Sequence, residues 1–368
     1  AQCLVGSEMC IRDRYEGLTK ILAVKRDVEN IYVYATMSSD VDTSNSHYLG
    51  YVSRVQSLSN QFEAATSFIN PEILSISAAK FEQFKKDEPR LADYAHYLEM
   101  ITNKRPHTLP AEEEKIIADA GDAMSVSENT FNVLTNSDME YGYVQDEEGN
   151  MQQLSDGLYS LLIQSQNRDV RKGAFDTLYA SYGQFQNSLA STLSGVVKKH
   201  NYNARMHKYD SAREAALADN GVPVEVYDTL IKEVDSHLDL LHRYVALRKK
   251  ILGLKDLQMW DMYVPLTGKP ALSYNFEEAK KVAKEALKPL GEDYLKHVDY
   301  IFNNRVIDPV ESKGKVTGAY SGGAYDTDPY ELLNWEDNID SLYTLVHETG
   351  HSVHSWYTRH SQPYIYCD

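Results

Sequence analysis

Residues 347–354 read HETGHSVH, and His347-Glu348-Thr349-Gly350-His351 fits the pattern H-E-x-x-H. Two histidines four apart lie one above the other on a helix, so both imidazoles reach one tetrahedral metal ion. Glu348 stands about 100° around from the first of them, where it meets water beside that metal and can serve as its base. Five residues alone are a moderately specific signal, and the ordinary alternative is a pair of core histidines satisfied by hydrogen bonds. The flanking residues sharpen the pattern. At about 100° per residue, Leu342, Leu345, Val346, Thr349, Val353 and Trp356 fall within one arc of about 100°, while His347, His351 and His354 cluster within about 60° on the opposite side. Such a helix buries one apolar face and presents three histidines from the other. His354 reads either as a neighbour that supports the ligands or as a surface residue. Gly350 reads as room for close packing beside the metal or as a tolerated helix glycine. A metzincin needs glycine at position 354 and histidine at position 357. This chain has His354 and Tyr357, which excludes that class. The remaining common solution takes a glutamate from a later helix as the third ligand.

The elements that must position this helix are themselves mostly helical in pattern. Tyr15–Met37 and Ser46–Ile69 carry apolar residues three or four apart. Pro71 and Pro110 read as first-turn prolines of further helices, the second followed by Glu112, Glu113 and Glu114, which suit a helix start. Leu91–Thr102 and Ser125–Leu134 are shorter helical stretches. Met139–Gln153, with its EEGN turn, reads as a hairpin or irregular loop, so a soft boundary falls near residues 125–140. Long helices are expected over 168–207, 223–252 and 276–303. Ser321-Gly322-Gly323 is a loop signal. Pro329–Trp335 reads as a short strand, and Ile339–His360 as the helix of the metal motif.

Composition narrows the setting. The 368 residues allow one large helical body or two domains, and a sizeable core. The formal charge of −17 opposes binding to nucleic-acid phosphates or anionic lipid. No run of about 18 apolar residues is present, so no membrane span is expected. Cys3, Cys10 and Cys367 are the only cysteines. None lies in the body of the chain, which excludes a disulfide framework and suits a reducing, cytoplasmic compartment. Val5–Arg14 (VGSEMCIRDR) lacks the basic start and apolar stretch of a signal peptide and resembles translated adapter sequence. Residues 1–14 are therefore expected to be non-native or disordered and to add nothing to the core.

Four segments together carry a resemblance. HETGHSVHSWYTRHSQPYIY is similar to the active-site helix of the oligoendopeptidase F family, relatives of thimet oligopeptidase. GAYSGGAYDTDPYELLNW, from Gly318 to Trp335, resembles the family's glycine loop and cleft strand. WDMYVPL, from Trp260 to Leu266, and RVQSLSNQFEAATSFINPEIL, from Arg54 to Leu74, are family-like as well. The similarity runs from about Tyr15 to Tyr366. It implies zinc held by His347 and His351, with Glu348 taking a proton from water and passing it to the leaving nitrogen. It also implies short unstructured oligopeptides as substrates, held in a channel between helical domains. Pro329–Trp335 would pair with an extended substrate by strand addition. Tyr320, Tyr325, Leu333 and Asn334 would line the cleft or support the site. The family's third ligand is a glutamate on the next helix. Here no glutamate follows Glu348, and Asp368 is the only carboxylate after His351. The family's transition-state tyrosine and histidine also lie further on, so the chain reads as a fragment cut at both ends.

The expectation is thus a mostly α, zincin-like oligopeptidase. It has an N-terminal helical domain over 15–125, a catalytic domain over 126–368, and a small sheet beside the HExxH helix. The function expected is zinc metalloendopeptidase, with one zinc ion per intact protein and little activity in this chain alone. The competing readings are a helical scaffold that cannot hold zinc, and a hydrolase of non-peptide substrates. The Gly318–Trp335 segment argues against the latter, since a strand beside the metal helix suits an extended peptide. Neither nucleic acid nor membrane is an expected partner.

Overall fold

The computed structural model describes residues 10–268 and 272–367. Among these residues seven α-helices come first: α1 (Cys10–Val41), α2 (Ser46–Thr66), α3 (Ile69–Ser75), α4 (Ala78–Asp87), α5 (Ala95–Asn103), α6 (Ala111–Asp119) and α7 (Gly121–Val133). Of segment 1–14, residues 1–9 lie outside the described residues, and Cys10–Arg14 form the start of α1. Pro71 sits at the third position of α3 rather than the first, and Pro110 caps α6 from just outside. Glu112, Glu113 and Glu114 occupy the first turn of α6, where the exposed amides favour acids. Helix α7 runs unbroken through residues 125–126.

The hairpin reading of 139–153 is correct. Strands β1 (Tyr143–Gln145) and β2 (Met151–Gln153) pair antiparallel around the EEGN turn. Helices α8 (Asp156–Leu162), α9 (Arg168–Gln184), α10 (Gln186–Met206), α11 (Ala212–Ala218), α12 (Val224–Ser236) and α13 (Leu238–Ile251) follow. The long helices expected over 168–207 and 223–252 are therefore each two helices. They break at Phe185 (φ −106°, ψ 12°) and His237 (φ −112°, ψ 7°), both outside the helical region. The third, over 276–303, is also two: α14 (Phe276–Leu287) and α15 (Glu292–Asn303). Between them Pro289 lacks an amide hydrogen, and Gly291 takes φ +92°, which disfavours any residue with a Cβ.

The segment WDMYVPL is an anchoring corner. Fully buried Asp261 accepts hydrogen bonds from Arg168 Nη2 (2.8 Å) and from Arg171 Nη2 (2.7 Å), both on α9. Arg248 of α13 donates to the carbonyls of Asp261 and Val264. Burial alone would raise the Asp261 pKa; the two guanidinium groups and the Gln258 amide outweigh it and hold the carboxyl at about 2.

The last section holds β3 (Ile307–Asp308), β4 (Tyr320–Gly322), β5 (Tyr330–Leu332) and α16 (Ile339–Ser361). The sheet order is β3-β5-β4, with β3 parallel and β4 antiparallel to β5. Ser321 and Gly322 thus belong to a strand, where the sequence reads as a loop. Beneath α16 a core forms from Ala279, Ala283, Leu295, Val298, Ile301 and Leu333 together with Leu342, Leu345 and Val353 of α16 itself. Helix α1 reaches this section. Asp40 O accepts from Val316 N at 2.8 Å, and Gly314 O accepts from Thr43 N at 2.7 Å. Arg26 pairs with Asp326 through Nε at 2.9 Å. The expected mostly α fold, with a small sheet beside the motif helix, is what the chain adopts.

Candidate active site

Helix α16 starts at Asn338, whose side chain accepts from Ser341 N at 2.8 Å, satisfying one first-turn amide. Asp340 in the first turn and Arg359 and His360 in the last complement the helix dipole. Leu342, Leu345, Thr349 and Val353 are buried, as the apolar arc predicts, and Val346 and Trp356 are half-buried. His347, His351 and His354 are exposed on the other side.

The Nε2 atoms of His347 and His351 lie 3.1 Å apart, with ring centroids 4.7 Å apart and planes at 79°. Two nitrogens each about 2.05 Å from one tetrahedral ion stand about 3.3 Å apart, so this spacing fits joint ligation of one zinc ion. Glu348 points to the inner side of the same turn and is 8% exposed. Among the described residues no cluster of three or more His, Cys, Asp or Glu suited to a metal is present, so His354 does not complete one. Asp368 lies outside the described residues.

Under the helix is a polar layer that helical periodicity does not reveal. Glu331, in the middle of β5, is 2% exposed. Its Oε1 accepts from Ser352 Oγ at 2.8 Å, and Ser352 Oγ in turn meets Ser321 Oγ of β4 at 2.8 Å. A hydroxyl has one proton, so Ser321 donates to Ser352 and Ser352 to Glu331. Burial pushes the Glu331 carboxyl up to about 7; the Ser352 and Thr349 hydroxyls pull it back, and the nearby Glu348 charge adds to the rise. Glu331 Oε2 and Thr349 Oγ1 are each buried without a well-formed hydrogen bond. The available signal in the sequence was a lone acid inside the apolar strand PYELLNW.

The outer candidates occupy separate places. Tyr320 Oη donates to Asp40 Oδ2 at 2.8 Å, which ties β4 to α1. Tyr325 Oη donates to Gln362 O at 2.9 Å, with Arg26 over its ring. Leu333 is a core residue, 2% exposed. Asn334 Nδ2 donates to the carbonyls of Val316 (2.9 Å) and Gly318 (2.8 Å). Leu333 and Asn334 line a 780 Å³ cavity beside the sheet, together with Trp335, Ser341 and Thr344; Tyr320, Tyr325 and the motif histidines do not. An added Cβ at Gly350 would meet no protein atom within 4 Å outside its own helix. The strand at 330–332 is extended as expected, but substrate addition to it is ruled out. It is the middle strand, with Glu331 N bonded to Val306 O and Leu333 N to Asp308 O on one side and β4 on the other. Both of its edges are taken. Arg359 belongs to no motif in the sequence. It is buried, donates to Thr327 O at 2.8 Å, and holds the glycine loop to the end of α16.

A mostly helical body that lays a short mixed sheet against a helix carrying H-E-x-x-H has the layout of an HExxH peptidase. The model of peptidase family M3 matches residues 161–367, and that of oligopeptidase F matches residues 72–141. The chain belongs to peptidase family M3. It is 48% identical to oligopeptidase PepF of Bacillus subtilis over 352 residues, covering 96% of this chain and 52% of that protein. It is 44% identical to the group B oligopeptidase PepB of Streptococcus agalactiae, covering 97% of this chain and 60% of the relative. The crystal structure of oligoendopeptidase-F from Enterococcus faecium superposes with a TM-score of 0.73 at 39% identity, covering 95% of this chain and 58% of that one. The chain thus spans little more than half the length of these relatives. Among the described residues no helix is long and apolar enough to cross a membrane.

Proposed function

We propose that this chain carries the metal-binding and proton-transfer part of a zinc metalloendopeptidase that cuts internal bonds of short, unstructured oligopeptides in the cytoplasm. The observation that carries the reading is the 3.1 Å spacing of the His347 and His351 Nε2 atoms, on the turn that also holds Glu348. The family membership and the names of the relatives, oligopeptidases and oligoendopeptidases, support the substrate class. When bound, zinc supplies a Lewis acid that makes water acidic enough to act as a nucleophile near neutral pH. His347 and His351 would hold the ion through Nε2. Glu348 accepts a proton from water as the nucleophile forms and delivers it to the departing amide nitrogen. Its burial restricts the carboxylate's motion.

A catalytic zinc site normally has three protein ligands, and among the described residues the pair gains no third. That observation favours a second statement: this chain by itself binds zinc weakly and turns over little peptide. The test is zinc content after dialysis, by mass spectrometry, together with cleavage of a quenched fluorescent peptide. Weak zinc binding that is lost in His347→Ala and in His351→Ala is expected. Zinc binding indifferent to both substitutions would sink the metal reading. Tight stoichiometric zinc with brisk, chelator-sensitive cleavage would sink the two-ligand statement.

A further inference from the structure

We propose that Glu331 is a positioning residue for the histidine pair: through Ser352, it fixes the roll of α16 and hence the direction in which His347 and His351 point. The inference rests on the metal-site reading above and adds to it a residue on a different element.

The geometry is that of a three-point clamp. Glu331 lies at the centre of β5, where its backbone is fixed on both sides: its amide donates to Val306 O, and Ser321 is its register partner on β4. Its side chain rises from the sheet to Ser352, and Ser352 is also met by Ser321. Ser352 and Thr349 are both fully buried, so the two hydroxyls that α16 turns toward Glu331 are enclosed by sheet and helix. Ser352 directly follows His351. A helix side chain's direction is tied to its neighbour's by the fixed turn of about 100° per residue, so anchoring Ser352 anchors His351, and His347 one turn earlier. The other buried residues of α16 near the motif are Leu342, Leu345 and Val353, which are apolar, and Glu348. Apolar contacts are non-directional and tolerate small rotations, whereas a hydrogen bond between buried groups at 2.8 Å does not. The Ser321–Ser352–Glu331 chain is therefore a directional element in the packing of this helix, and it lies one residue from His351. Two imidazoles 3.1 Å apart need that kind of definition to share one ion.

The experiment compares the 368-residue chain with Glu331→Gln, Glu331→Ala and Ser352→Ala. Folding is followed by circular dichroism. The site is followed in two ways: Co2+ affinity and its visible absorption bands, and the imidazole 15N shifts of His347 and His351 in metal-free protein. Glutamine keeps an oxygen that accepts from Ser352, so Glu331→Gln should be folded and should match the parent in Co2+ affinity, absorption bands and imidazole shifts. Glu331→Ala and Ser352→Ala should remain folded, bind Co2+ at least about tenfold more weakly with altered bands, and show shifted imidazole signals. Unchanged Co2+ spectra and unchanged imidazole shifts in both truncations would overturn the proposal. If Glu331→Ala does not fold, Ser352→Ala, which removes a single oxygen, decides the same comparison. If the parent chain binds no Co2+ at all, the metal reading fails separately, and the metal-free imidazole shifts still decide the role of Glu331.

Discussion

Replacing Glu331 by glutamine should make the protein more stable, by an amount that grows between pH 4.5 and 7 and is constant above. The carboxyl is 2% exposed and keeps its proton up to about pH 7 in the fold, against 4.5 for an ordinary glutamate. The unfolded chain releases that proton near the ordinary value. Between pH 4.5 and 7 the folded state thus binds more protons than the unfolded state, so its stability falls as pH rises. This is opposite to the usual paired carboxylate, whose contribution is lost as pH falls. At 1.36 kcal/mol per pH unit the penalty grows to about 3 kcal/mol by pH 7 and then levels off. Glutamine keeps the shape and the acceptor for Ser352 and has no proton to lose. At pH 5 the two proteins should therefore differ by less than about 1 kcal/mol, and at pH 8 the variant should be ahead by about 2–3 kcal/mol. Urea titrations read this directly. With a slope of about 3 kcal/mol per molar, the pH 8 midpoint should move up by about 1 M while the pH 5 midpoint barely moves. The difference between the two proteins reports the carboxyl at position 331 together with its coupling to Glu348. Parallel midpoints from pH 5 to 8 would show that Glu331 is ionised in the fold, and would refute the reasoning.

Other expectations concern the anchors and the base. Asp261→Asn should cost about 3–5 kcal/mol in urea unfolding, because it leaves Arg171, 3% exposed, as an uncompensated buried charge. The Asp261 carboxylate itself should stabilise the fold above about pH 4 and lose that effect as pH falls through about 2, the value it holds here. Gly323→Ala should lower the melting temperature, since Gly323 has φ +154° and an added Cβ would sit 2.7 Å from Asp328 O; an unchanged melt would show that the loop relaxes freely. In any form of the protein that turns over peptide, Glu348→Gln should cut kcat by at least about 10²-fold while zinc content stays constant. A variant that loses zinc and rate together would point instead to a ligand role for Glu348.

What could be read from the sequence was what is local. His347, Glu348 and His351 lie within five residues, so helix geometry alone brings the two imidazoles together, and the same 3.6-residue period sorts Leu342, Leu345 and Val353 from the histidines. The hairpin at 143–153 and the strand at 330–332 were legible for the same reason, as turn chemistry and apolar runs are short-range signals. Helix breaks were partly legible: Pro289 and Gly291 announce one, whereas nothing in the residue types at Phe185 or His237 does. What the sequence withheld depends on partners far along the chain. β5 looks like an available edge until β3, more than twenty residues earlier, is seen to occupy that edge in parallel. Nothing local announces that Asp40 and Gln362 take the hydroxyls of Tyr320 and Tyr325.

Glu331 is the sharpest case, because one charged residue in an apolar strand has two physical outcomes. It can face solvent and cost nothing, or face inward, where it persists only by keeping a proton or finding donors. Alternation along Tyr330-Glu331-Leu332-Leu333 does not separate these, since both Leu332 and Leu333 are buried and the strand has no wet face to assign it to. The choice is made by α16, whose Ser352 and Thr349 turn toward the sheet from the same turns that hold the histidines outward. An apolar residue at 331 would fill the space equally well and would leave Ser352 without its acceptor. The same helix therefore carries its metal-facing chemistry on one side and, on the other, the polar contact that fixes where that chemistry points.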